Sequence, residues 1–188
     1  LEDVLARRSR KAAGEARIEL VRRRARILEE KLGNPDAAAS ALRELGADAV
    51  VDAEGAASLV RNLRRAGLVH EAARLLAQRA ELLEQRQAPA TEIVDVWLEA
   101  ARLRLRELRD ADGAREAIDA ALARAPKHPG AQGALAELHL ERNDLAAYAK
   151  TKLRQAELLT GTPAAEAFVE AGRVTRDQLN DADGARVC

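Results

Sequence analysis

The feature that most constrains this chain is a long stretch that recurs within it. Trp97–Arg115, WLEAARLRLRELRDADGAR, returns 71 residues later as Phe168–Arg186, with ten of 19 positions identical. A looser copy occupies Val21–Ala39. Self-similarity at this scale is the signature of a repeat architecture.

Two sets of markers give the period. Small residues near the start of successive return helices are Ala38, Ala72, Ala114, Ala149 and Ala185, separated by 34, 42, 35 and 36. At the fourth of these, Tyr148 is an alternative to Ala149. Small or apolar residues inside the leading helices are Ala25, Val60, Ala101, Ala136 and Gly172, separated by 35, 41, 35 and 36. The long interval coincides with a polar stretch, Gln85–Ala90. A hairpin of this length cannot bury its apolar face alone, and small side chains let neighbouring helix backbones approach closely.

Apolar spacing of three and four predicts helices throughout. After a short one in Leu1–Lys11, leading helices are expected over Glu15–Leu32, Ala56–Ala66, Glu92–Leu108, Gln132–Glu141 and Ala164–Leu179. Return helices are expected over Ala37–Leu45, Val69–Glu84, Ala114–Ala125 and Leu145–Leu159, with another beginning at Ala185–Cys188. All five prolines fall in turns or at helix starts, where they do no harm. No sustained alternation marks a strand. Aromatics are only 2% of the chain, so the core is aliphatic.

The period, and the order of small residue, turn, Ala, apolar, Ala and Pro, resemble the tetratricopeptide repeat (TPR). The third unit carries it best, with Ala101, then Ala114, Ile118, Ala121 and Pro126. Leu135-Ala136 in the fourth unit, and Leu59, Gly67, Ala72 and Leu76 in the second, match as well. Three units depart from the family, running 13 residues from small residue to Ala (25 to 38, 101 to 114, 172 to 185) where 12 is usual. The resemblance implies an all-α fold: a right-handed α-α superhelix, or solenoid, of about five TPR-like helix hairpins spanning 1–188 as one domain. The chain contains no Met and stops four residues into a return helix, so it is expected to be a fragment of a longer repeat protein.

Charge is balanced, with 31 Lys+Arg against 31 Asp+Glu, which argues against nucleic acid and anionic membranes as partners. No apolar run reaches bilayer-spanning length, and a cytoplasmic location is expected. The single cysteine, Cys188, excludes an intrachain disulfide framework. His70, His128 and His139 lack the companions that a metal site needs, and no nucleophile elbow or phosphate loop is present. No metal, no cofactor and no catalysis are expected. In the recurring turn pairs Asp110/Asp112 and Asp181/Asp183, the second carboxylate of each, Asp112 and Asp183, is expected to meet the helix start.

If the resemblance holds in detail, the leading helices line the concave face. The residue after the small position is then Arg26, Arg61, Arg102, Glu137 and Arg173, with Arg22, Arg64, Arg65, Arg106 and Arg176 nearby. Such arginines could bind carboxylates of an acidic peptide or partner protein. Alternatively Glu29, Glu30, Asp95, Glu137, Glu141 and Asp177 neutralise them within the chain. The implied function is a non-enzymatic protein-interaction scaffold. Half-a-TPR-type RNA binding, or a self-assembling structural solenoid joined through open repeat ends, are the alternatives.

Overall fold

The computed structural model describes residues 1–46, 49–50, 52–179, 181 and 184–185. Among these there are ten helices and no strand. They fall into two compact units, Leu1–Gln87 and Ala88–Cys188.

The first unit holds α1 (Glu2–Lys11), α2 (Gly14–Glu30), α3 (Pro35–Arg43), α4 (Ala53–Arg65) and α5 (Val69–Gln85). The second holds α6 (Ala90–Arg106), α7 (Ala111–Arg124), α8 (Pro129–Glu141), α9 (Leu145–Leu158) and α10 (Thr162–Asp177). Each helix packs on the next within its unit, and α6 also touches α8. The leading helices are therefore α2, α4, α6, α8 and α10, as the period predicts. Most observed helices begin two or three residues before the apolar stripe, because an N-cap or proline starts them earlier. Pro35, Pro129 and Pro163 all stand in first turns.

The marker residues Ala25, Val60, Ala101 and Ala136 are buried, with Val21, Leu42, Leu59, Leu63 and Leu76 around them in the first unit and Ile93, Val94, Ile118 and Leu138 in the second. Small side chains at these positions let aliphatic neighbours fill the space. Arg24 of α2 ties three elements together. It donates to Glu2 of α1 at 2.5 Å and to Glu44, just past α3, at 2.8 Å.

The turns between leading and return helices come in two lengths. In the long form the N-cap N–H reaches back six residues: Asn34 to Leu28 O at 2.9 Å, Asp110 to Arg104 O at 2.9 Å and Asp181 to Thr175 O at 3.1 Å. In the short form it reaches back five: Leu68 to Leu63 O at 2.8 Å and Asp144 to His139 O at 2.9 Å. Both satisfy carbonyls left over at the helix end through one left-handed residue. That residue is Gly33 (φ 60°) or Arg109 (φ 55°) in long turns, and Gly67 (φ 77°) or Asn143 (φ 56°) in short ones.

Two points of the sequence reading are settled here. The residue four past each N-cap donates its N–H to the cap carbonyl, and these residues are Ala38, Ala72, Ala114, Tyr148 and Ala185. Tyr148, not Ala149, therefore holds the register in the fourth return helix. The spacings from small residue to register residue then alternate 13, 12, 13, 12 and 13. The second point is a correction. Asp110, not Asp112, is the cap, accepting from Gly113 N–H at 2.9 Å, and Asp181 does the same for Gly184 N–H at 2.8 Å. The cap lies four residues before the register residue Ala114, so the helix starts just after Asp110, which leaves Asp112 in the first helical turn, 94% exposed and 2.5 Å from Arg142. Asp183 and Cys188 lie outside the described residues.

Candidate functional site

The arginines of the leading helices differ in how they are held. On α2, Glu29 is followed one turn later by the Gly33 turn, and its side chain points toward α4 with only 6% exposure. Arg61 of α4 grips it with both edges of its fork, Nε to Oε1 at 2.7 Å and Nη2 to Oε2 at 2.9 Å. Arg65, one turn further along α4, adds a bond at 2.9 Å. The fully buried Asn62 donates its amide to the same carboxylate at 3.1 Å and to Ser58 O at 2.9 Å. The bond from Arg61 is the largest cause that lowers the Glu29 carboxyl to about 2, with Asn62 and the charge of Arg65 acting in the same direction against burial. Arg61 and Arg65 are thus fastened to the fold by one acid.

Arg26 and Arg22, one and two turns earlier on α2, face the start of α4. Arg22 pairs with Asp52, the N-cap of α4, and lies 3.7 Å from Glu54. Arg26 lies 3.3 Å from Glu54, and both of those side chains are more than 60% exposed. Between the helices is a cleft of about 150 Å³, with Leu42 and Gly55 at its base. Arg64 is exposed on α4.

In the second unit the order is the reverse of the Glu29–Arg61 pair and the same as that of Arg26 and Glu54. The arginine is on the earlier helix and the acid on the later one: Arg106 of α6 donates to Glu137 of α8 at 2.9 Å. Glu141 faces Arg109 at 3.8 Å. On α10, Arg176 is bound by its neighbour Asp177, at 2.6 and 3.1 Å. Arg102 and Arg173 are exposed, and neither forms an ion pair among the described residues. Of the acids singled out in the sequence, Glu29, Glu137 and Asp177 pair with the named arginines. Asp52 and Glu54 take two more and were not singled out. A signal existed for both, since they sit just before and within the first turn of α4, one helix across from Arg22 and Arg26.

A separate cluster joins α9 to α10. Tyr148 OH donates to Glu170, Lys152 Nζ lies 2.9 Å from the same carboxylate, and Lys152 also lies over the Tyr148 ring at 5.8 Å. Burial, and then the hydrogen bond to Glu170, push the Tyr148 phenol well above its ordinary range. Among the described residues no group of three His, Cys, Asp or Glu side chains could hold a metal ion. His128 caps α8 by accepting from Ala131 N–H at 3.3 Å. Burial lowers the His139 imidazole, although Asp144 lies 3.9 Å away. No helix among the described residues is long and apolar enough to cross a membrane.

Helix hairpins stacked at this period, with turns closed in this way, define an all-α fold of TPR-like hairpins. Solved structures with the same fold include MamA 41-end from Desulfovibrio magneticus RS-1, at 17% identity over 94% of this chain and 92% of that one, with a TM-score of 0.59. The MamA RS-1 ArsTM double mutant matches at 17% identity over 94% and 92%, TM-score 0.60. BtubC (BKLC) from P. vanneervenii matches at 16% identity over 100% of this chain and 85% of that one, TM-score 0.59. At such identities the likeness is one of fold alone. Neither a family model nor a curated protein matches the chain.

Proposed function

We propose that this chain is a non-enzymatic protein-interaction scaffold whose leading helices present guanidinium groups to an acidic peptide or a segment of a partner protein. The observation that carries this reading is the contrast among the arginines. Arg61, Arg65 and Arg106 are engaged by Glu29 and Glu137, whereas Arg102 and Arg173 stand exposed on equivalent helix positions with no ion pair among the described residues. An arginine fork left open on a helical surface suits planar, bidentate recognition of carboxylates. Repeat folds commonly use such surfaces to hold extended or helical partners.

The test is affinity capture with the whole chain as bait, comparing wild type with the double variant Arg102→Glu/Arg173→Glu. Proteins enriched on wild type and lost on the double variant, with helicity unchanged, support the reading. A bound protein that is retained equally by both baits overturns the assignment of these arginines. Capture of nothing above a blank matrix overturns the scaffold itself.

A further inference from the structure

Arg22 stands where the second unit carries a core leucine. A step of 76 positions lays the first unit on the second: Ile18 on Val94, Val21 on Trp97, Leu45 on Ala121 and Ala49 on Ala125. In the second unit Val94, Ala121 and Ala131 form one apolar cluster with Leu98, which is 2% exposed, and Trp97 and Ala125 pack against it. In the first unit Val21, Leu45 and Ala49 form the matching cluster, with Ile18 against it, but the counterpart of Leu98 is Arg22. The helix starts match as well. His128 caps through Ala131 N–H, and 76 residues earlier Asp52 caps through Gly55 N–H at 2.5 Å. The counterpart of Glu54 is Gly130, and a Cβ there would meet the Leu98 methyl at 3.4 Å.

One framework is therefore finished in two ways. The second unit closes this spot with Leu98 against Gly130. The first leaves a cleft of about 150 Å³ bordered by three arginines, Arg22, Arg26 and Arg61, and three acids, Glu29, Glu30 and Glu54. An apolar finish costs nothing by comparison, since partly buried ion pairs are commonly replaced by packed apolar groups without loss of stability. The charged finish calls for a use other than folding.

We infer that this cleft receives the carboxylate of an acidic side chain from a partner polypeptide, with Glu54 occupying that place until the partner arrives. The inference rests on the scaffold reading above. Glu54 is 66% exposed and lies 3.7 Å from Arg22 and 3.3 Å from Arg26, longer than charge-assisted bonds of about 2.7–2.9 Å. Arg22 keeps its close pair with Asp52 through Nη2, while its Nε is shut off from solvent and has no hydrogen-bond partner among the described residues. Glu29 is not displaceable in the same way, because three side chains of α4 hold it. A cavity of this size takes about one side chain. An incoming carboxylate exchanges two long contacts for short ones, and Glu54 swings into water from a position that is already mostly hydrated.

The probe is an acetylated, amidated hexaglutamate peptide added to the whole chain. Arginine Nε–Hε resonances are followed by NMR and affinity by calorimetry. The peptide is expected to shift Arg22 and Arg26. Arg26→Gln should weaken binding by about tenfold. Glu54→Gln should strengthen it several-fold by removing the resident acid. Arg74→Gln, at an exposed arginine of α5 with no ion pair among the described residues, should change nothing. Arg22→Leu with Glu54→Gly copies the second unit, and should fold as stably as wild type while losing the peptide. No binding by either wild type or Glu54→Gln overturns the inference, as does equal weakening by Arg74→Gln and Arg26→Gln. Unfolding of the Leu/Gly variant also overturns it, by showing that Arg22 serves the fold. A partner captured through Arg102 and Arg173 but indifferent to Arg26→Gln leaves the scaffold reading standing and removes this site alone.

Discussion

Glu29 and Arg61 form a two-pronged ion pair across α2 and α4, with bonds of 2.7 and 2.9 Å and the acid 94% withdrawn from solvent on the scale where its exposure is 6%. The arginine side of the pair is half exposed, so its charge faces water while its fork faces the protein.

That pair makes stability depend on pH in a defined window. The carboxyl is lowered from 4.5 to about 2, so its contribution is complete above pH 4.5 and is lost as pH falls through 2. A shift of this size corresponds to about 3 kcal/mol. Glu29→Gln should lose about 1–3 kcal/mol at neutral pH, because the amide keeps some hydrogen bonds but none of the charge. Urea melts at a series of pH values check this. The gap between wild type and Glu29→Gln should narrow as pH drops from 4.5 toward 2, and a constant gap would contradict it.

The caps give a prediction that separates two neighbouring aspartates. Asp110→Ala removes the acceptor for Gly113 N–H and should cost about 1 kcal/mol. Asp112→Ala removes only an exposed ion pair and should cost about 0.5 kcal/mol or less. Gly113→Ala, ordinarily favourable inside a helix, should destabilise, because the added Cβ would lie 2.1 Å from the capping carboxylate of Asp110. Thermal melts of the three variants check the order.

Tyr148 offers a test against alignment. Alanine is the residue at this register in the four other return helices, yet Tyr148 is 3% exposed and its hydroxyl donates to Glu170. Tyr148→Ala should therefore cost about 3–5 kcal/mol, and Tyr148→Phe about 1 kcal/mol. Denaturant midpoints would refute this if the alanine variant were neutral.

Ala101→Leu should overpack the buried middle of α6 and cost about 1–3 kcal/mol. An unchanged melting temperature would mean that this helix face does not carry the packing assigned to it.

The helices, their order and their buried marker residues are legible because Ala25, Val60, Ala101 and Ala136 recur at 35, 41 and 35 residues and the prolines punctuate the turns. The caps, Asp110 and Asp181, lie two residues before the carboxylates that the spacing suggests. A leucine-to-aspartate turn looks the same whether the helix begins before or after its second carboxylate, and only the six-residue closure onto Arg104 and Thr175 distinguishes them. The arginine positions were visible, but their roles were not. Glu29 and Arg61 lie 32 residues apart in sequence, and whether a charge is held or exposed is decided by rotamers across the interhelical gap.

The alternation of long and short turns sets a grain size for any change in the number of hairpins. Splicing out one internal hairpin would bring two long closures, or two short ones, into succession. Removing or copying two together leaves each closure beside the kind it now adjoins. Lengthening or trimming this protein, whether by recombination or by design, is thus expected to succeed in pairs.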